Sequence, residues 1–327
     1  MSVEATAPGK AILFGEHSVV YRGPAIVLAI DKRAKIIAEK RSDKRIHFDC
    51  LDMGFEGYFE GDVYVPIRGE AWRGRRLQGM RVAAWKTLEH LGQETGLSLT
   101  ARSDIPVAAG LGSSAAICVA TVAAVGELLG GNLSKKETCD LAYEGEKVVH
   151  GTPSGVDNNI STYGGVLRYE RGESIERLEL GEGLPFVIGN SRRKRSTRRL
   201  VARVKALRER EPKLVDGLID AMVGVAESGL EALKERDLRR LGDLMNINHG
   251  LLASLGVSIA RLDLMVHASR GAGAYGAKLT GAGGGGCMIA LLNPSKVEDI
   301  RKAIWRTRGE PHVVNISNQG VETRRIK

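Results

Sequence analysis

Cysteine is scarce in this 327-residue chain, aromatic residues make up only 5% of it, and no apolar run is long enough to cross a bilayer. The four cysteines, Cys50, Cys118, Cys139 and Cys287, stand far apart with no C-x-x-C pair. That excludes a closely spaced zinc site and a dense disulfide framework, and it points to a reducing, cytoplasmic setting. The most apolar stretch, Ala115 to Leu129, carries Thr121 and Glu127 and reads as a buried core helix. Met1 to Lys10 lacks the charged-then-apolar pattern of a secretion signal, because Glu4 and Pro8 interrupt it. No membrane partner is expected. The P-loop pattern G-x-x-x-x-G-K-[ST] is also missing, so phosphate would have to be bound without a Walker lysine.

Positive charge is in surplus: 48 Lys and Arg face 39 Asp and Glu, for a formal net charge of +9. Such a balance favours an anionic partner, whether nucleic acid, phosphate-bearing metabolite or membrane surface, and charge alone does not choose among them. The few aromatics, the spread of basic residues apart from a cluster between Arg192 and Arg199, and the lack of an RNA-binding signature argue against nucleic acid.

The length favours two domains. Apolar runs punctuated by glycine or proline predict strands over Val3–Ala7, Ala11–Phe14, Ala25–Ile30, Ala34–Glu39 and Leu97–Arg102. Ser134 followed by Glu137 is a capping box that opens a helix to His150, stopped by Gly151 and Pro153. Ser161–Tyr169 reads as strand around Gly164 and Gly165. A strand at Phe186–Gly189 then gives way to helices over Thr197–Arg210, Lys213–Leu233, Leu238–Leu255 and Ile259–Gly271. After a glycine-rich loop come a strand at Cys287–Leu292, a helix at Ser295–Arg308 and a closing strand at His312–Ile316. This order is that of an α+β protein with a boundary near 170 to 185, drawn as domains 1–180 and 181–327.

Three stretches carry chemistry. From Pro106 to Ala116, a loop with Ala109, Gly110, Leu111 and Gly112 runs into Ser113, Ser114, Ala115 and Ala116 at the start of the apolar helix. Free backbone N–H groups there can face a phosphate at the positive helix end, although an ordinary helix cap has the same composition. Lys278 to Cys287 contains a formal G-x-G-x-x-G at Gly281, Gly283 and Gly286. A Rossmann fingerprint needs strand, glycines, helix, whereas here a helix is expected before the glycines and a strand after them. Ordering four consecutive glycines costs entropy, so a close backbone approach is expected there, a plain turn being the alternative. Glu146 to Asp157 sets one carboxylate on the last turns of a helix and another past a tight Pro-Gly corner, suited to a metal ligand and a proton acceptor held apart. Taken singly, Glu146 is equally a solvated helix residue and Asp157 a helix cap.

These stretches, with Ala7-Pro-Gly-Lys-Ala-Ile-Leu-Phe-Gly-Glu-His-Ser-Val-Val-Tyr21 and Met245-Asn-x-Asn-His-Gly-Leu-Leu-x-x-Leu-Gly-Val257, resemble the GHMP kinases over nearly the whole chain, and among them the branch that phosphorylates mevalonate. The resemblance implies an N-terminal domain like ribosomal protein S5 domain 2, a ferredoxin-like C-terminal domain and ATP in the cleft between them. It implies ATP binding by the Pro106–Ala116 stretch, Mg²⁺ held by Ser114 and Glu146, and Lys10 and Asp157 flanking the mevalonate hydroxyl as catalytic pair. Glu16, His17, Arg195, Thr197, Gly281, Ala282 and Gly283 are implied near the acceptor, and a homodimer is the expected assembly. Alternatives within the superfamily are phosphomevalonate, mevalonate 3- and homoserine kinases. The cluster Arg192, Arg193, Lys194, Arg195, Arg198 and Arg199 departs from a plain helix start, since cations oppose the positive end of the dipole. That penalty leaves room for an anion beside it. Asp52 to Pro66 is a candidate wall for adenine.

Overall fold

The computed structural model describes residues 1–106, 109–151, 153–178, 184–194 and 196–326. In chain order the first part contains β1 (Ser2–Phe14), β2 (Ala25–Arg41), β3 (Ile46–Cys50), β4 (Phe55–Glu60) and β5 (Val63–Arg68). Next come α1 (Gln78–His90), β6 (Gly96–Ser103), α2 (Ser113–Leu128), α3 (Lys135–His150), α4 (Val156–Tyr163), β7 (Val166–Tyr169) and β8 (Glu176–Leu178). The rest comprises β9 (Pro185–Asn190), α5 (Thr197–Arg210), α6 (Pro212–Glu235), α7 (Leu238–Ser254), α8 (Ala260–Gly271), β10 (Gly276–Thr280), β11 (Cys287–Leu291), α9 (Val297–Arg306), β12 (Glu310–Asn315) and β13 (Glu322–Ile326).

Two sheets result. One follows the order β13-β1-β2-β6-β3-β4-β5, with β7 on β2 and β8 on β7; the other runs β10-β11-β9-β12. The α+β expectation therefore holds. The last strand returns to β1, with Val3 opposite Arg325, so the first sheet draws on both ends of the chain.

Several expectations change. The pairs predicted over 3–14 and 25–39 are two continuous strands, because the breaks are absorbed within the ladder: the β1–β2 register shifts between Pro8 and Gly9. Gly9 is needed there, since a Cβ would lie 2.8 Å from the Leu111 carbonyl oxygen. Ser161–Tyr163 is the end of helix α4 instead of strand. The Ser161 hydroxyl donates to the Pro8 carbonyl at 2.8 Å, and the turn falls at Gly164 and Gly165, both at positive φ. The fully buried strand β10, not a helix, directly precedes the glycine run. Lys278 at its centre hides the apolar pattern. The glycines still lead into a strand, so the Rossmann reading stays excluded, on corrected grounds. Strands β3 to β5, helix α1 and β13 carry mixed, partly exposed sequences without clean alternation.

Helix α2 is the hub. Ala115, Ala116, Val119, Val122 and Val125 are buried, and it packs against α1, α3, β1 and β2. All-round burial explains why it is apolar on every face. Among the described residues no helix is long and apolar enough to cross a membrane.

Candidate active site

A cleft of about 1110 Å³ opens where β1, the starts of α2, α4 and α5, the end of α3 and the β10–β11 turn converge. One corner of it is the loop before α2. Gly110 and Gly112 take φ of 79° and 73°, a left-handed conformation that glycine adopts without steric cost. Gly112 caps α2, so the first backbone N–H groups of the helix lack intrahelical partners and face the positive end of the dipole. The loop is docked on β1 by the Lys10 amide, which donates to the Leu111 carbonyl at 2.9 Å. A Cβ on Gly112 would lie 2.9 Å from Lys10 Cγ.

The capping box at Ser134 and Glu137 starts α3 as expected and delivers Glu146 to the base of the cleft. Glu146 is 2% exposed, and Ser114 Oγ donates to its Oε1. Burial pushes this carboxyl up, opposed by the Ser114 hydrogen bond and the His150 ring, whose Nε2 lies 3.6 Å from Oε2. The corner beyond is held by the Tyr143 hydroxyl, which donates to the Pro153 carbonyl at 2.7 Å. Gly155, at φ 83°, opens α4. Asp157 then sits on its first turn, with Oδ1 3.3 Å from Lys10 Nζ.

Helix α5 closes the opposite wall. Its cap is Ser196, whose Oγ accepts from the Arg199 amide at 3.4 Å, and the stripe Thr197, Arg198, Val201, Ala202 and Lys205 lines the cleft. Thr197, expected near an acceptor, is therefore part of the cleft lining, as are Arg198, named only within the basic cluster, and Lys205, which was not singled out. Their i, i+3, i+4 spacing was readable; which face turned inward was not. Arg195, expected at the acceptor, lies outside the described residues.

Lys10, Asp157, Ser114, Glu146, Thr197, Gly281 and Ala282 thus meet in one cleft, with Pro106 and the residues from Gly110 to Ala115. Glu16, His17, Ala109, Ala116 and Gly283 lie behind that lining. Glu16 is buried in an ion pair with Lys278, a residue without an expected role, and also accepts from Asn248 Nδ2 at 3.1 Å. His17 Nε2 lies 2.9 Å from the Ala282 carbonyl oxygen. The Asp52–Pro66 segment does not reach the cleft lining; Asp52 Oδ2 instead accepts from the Ser103 amide at 2.6 Å.

An N–H-lined loop at a helix start, a hydroxyl touching a buried carboxylate and a lysine–aspartate pair within one cleft are the parts of a phosphoryl-transfer site. Family models of the GHMP kinases N terminal domain and the GHMP kinases C terminal match residues 79–165 and 230–310. The chain belongs to the GHMP kinases. It is 43% identical to a mevalonate kinase of Thermococcus sibiricus, with 98% of each chain covered, and 42% identical to that of Pyrococcus furiosus, with 100% and 99% covered. Its structure is similar to that of L. major mevalonate kinase in complex with R-mevalonate (TM-score 0.84, 28% identity, 96% of each chain) and to the Methanococcus jannaschii mevalonate kinase (TM-score 0.81, 29% identity, 97% and 98%). Within that class, its family is that of the mevalonate kinases.

Proposed function

We infer that the protein transfers the terminal phosphoryl group of ATP to the C5 hydroxyl of mevalonate, giving 5-phosphomevalonate for isoprenoid biosynthesis. The observation that carries this reading is the Lys10–Asp157 pair, 3.3 Å apart, in the same cleft as the Gly110–Ser114 loop.

Phosphoryl transfer asks a protein mainly for positioning and for neutralising charge in line. The backbone amides at the start of α2 bind the β and γ phosphates. Ser114 and Glu146 offer a hydroxyl and a carboxylate already in contact, a donor set that suits Mg²⁺, an ion that takes few protein ligands and completes its shell with phosphate and water. Held by Ser114 and Glu146, such an ion would neutralise phosphate charge during transfer. Asp157 accepts the proton of the C5 hydroxyl or orients it, and the Lys10 ammonium, 3.3 Å from its Oδ1, holds the carboxylate in place and steadies charge developing on the transferred group. Thr197, Gly281 and Ala282 line the acceptor side, with Arg195 proposed beside them. Glu16, His17 and Gly283 support that side from behind.

We further propose a cytoplasmic homodimer with no nucleic-acid or membrane partner, and domains 1–180 and 181–327, the second of which returns its last strand, β13, to the first sheet. A coupled ADP-release assay with MgATP tests the reading: mevalonate is the preferred acceptor over 5-phosphomevalonate and homoserine. Turnover of one of those compounds in its place, or steeply salt-dependent RNA binding without turnover, rejects it.

A further inference from the structure

The segment Ile12–His17 leaves β1 alongside Lys278–Ala282, which runs from β10 into the glycine turn, and three ties join them. Thr280 Oγ1 donates to the Ile12 carbonyl at 2.7 Å and accepts from the Ile12 amide at 3.1 Å. His17 Nε2 meets the Ala282 carbonyl at 2.9 Å. In the third tie, Lys278 Nζ is paired with Glu16 Oε1 and also donates to the Leu279 carbonyl at 2.8 Å. The first two ties reach the cleft itself, since Ile12, Gly281 and Ala282 all line it.

The ion pair is chemically unlike the other two ties. The side chains of Lys278 and Glu16 are 0% and 1% exposed. Burial alone pushes the Glu16 carboxyl up and the Lys278 ammonium down, and each charge is held by the other. A dry ion pair is a poor source of net stability, because desolvation offsets most of the attraction; its best-attested use is to fix register, since any slip leaves both charges uncompensated. Apolar packing tolerates sliding that this contact does not.

We propose that Glu16 and Lys278 are a positioning pair that sets the register of the Gly281–Ala282 turn against β1, and with it the width of the acceptor side of the cleft, without Glu16 touching the substrate. The proposal rests on the phosphotransferase reading above and gives Lys278 a role that the motif alone did not assign. Glu16 is one residue from His17, whose backbone is held at φ 63°, so a shift of the carboxylate is passed directly to the tie on Ala282.

Wild-type turnover with mevalonate is measured first, and its absence sinks the phosphotransferase reading before the pair is tested. Glu16→Gln and Lys278→Met each leave one buried charge alone, so each lowers the Tm by several degrees. The double variant Glu16→Met with Lys278→Met recovers most of that loss. In the double variant the apparent KM for mevalonate stays raised by about tenfold or more, while that for ATP stays within about twofold, because the register is lost and the nucleotide loop is untouched. Glu16→Asp keeps the charge but withdraws it by one methylene, and it raises the same KM even if the other variants fail to fold. Two results overturn the proposal. A double variant, or Glu16→Asp, with wild-type KM and kcat reduces the pair to packing. A Glu16→Gln protein with wild-type Tm and no turnover makes Glu16 a catalytic residue in contact with substrate.

Discussion

Lys10 and Asp157 lie 3.3 Å apart, one from the first strand and the other from the first turn of α4, although 147 positions separate them in the chain. The Lys10 side chain is 8% exposed and that of Asp157 38%, so the carboxylate faces the cleft while the ammonium backs it. Replacing Asp157 by Asn keeps the shape and removes the charge and the proton-accepting oxygen. The expected result is a fall in kcat of about a hundred- to ten-thousand-fold. Tm falls only modestly, because the asparagine oxygen still accepts from Lys10 and the 38% exposed position opens to the cleft. Steady-state kinetics beside a melting curve decides it: kcat within about threefold of wild type removes Asp157 from proton transfer.

Glu146→Gln is expected to raise the Mg²⁺ concentration for half-maximal rate severalfold while leaving the protein folded. Burial already pushes the Glu146 carboxyl up, so a neutral amide suits the metal-free site well. A Mg²⁺ titration at saturating ATP that overlays the wild-type curve would reject Glu146 as a ligand.

Arg198 and Arg199 are neighbours on α5, yet only Arg198 lines the cleft. Arg198→Ala is expected to raise the apparent KM of an anionic substrate severalfold, and Arg199→Ala to leave it within about twofold, as for a solvated surface charge. Equal effects from the two would show that the cluster acts only through its summed field. Arg195→Ala, measured in the same series, tests the acceptor contact expected of that residue.

His249 is held down to about 4, mainly by burial, with the charges of Arg270 and Lys278 adding to it and Asp263 opposing. Its Nδ1 accepts from the Leu279 amide at 3.3 Å and its Nε2 lies 3.2 Å from Asp263 Oδ1, so the neutral ring with Nε2–H fits both partners. In the unfolded chain the imidazole takes a proton near 6.5, so between 6.5 and about 4 the unfolded state binds more protons and stability falls as the pH falls. The loss approaches about 3 kcal/mol at the acid end. His249→Asn preserves an acceptor for Leu279 and removes the titration, so its Tm declines less steeply over that window. Parallel Tm–pH curves for the two proteins would rule out His249 as the source.

Local signals located most of the parts. The helix over Thr197–Arg210 begins and ends where periodicity predicts, and the box at Ser134 and Glu137 marks the start of α3, because caps and apolar period are written within a few residues of each other. The same locality failed where long-range pairing overrides it. Pro8 reads as a break, yet it continues in a strand because β2 supplies partners on one side and the register shift absorbs the proline.

By itself, the sequence determined which residues could bind phosphate, ligate a metal and move a proton, since glycine conformation, helix starts and carboxylate chemistry are properties of short segments. It did not determine who stands beside whom. Only the tertiary structure brought Ser114 to Glu146 and Lys10 to Asp157, turned one face of α5 to the cleft, and removed Glu16 from its lining to meet Lys278, 262 positions away. The physical reason is that burial is a property of the packed molecule: a carboxylate loses its water only when another segment covers it, and which cation then compensates it is decided by the packing of the two sheets.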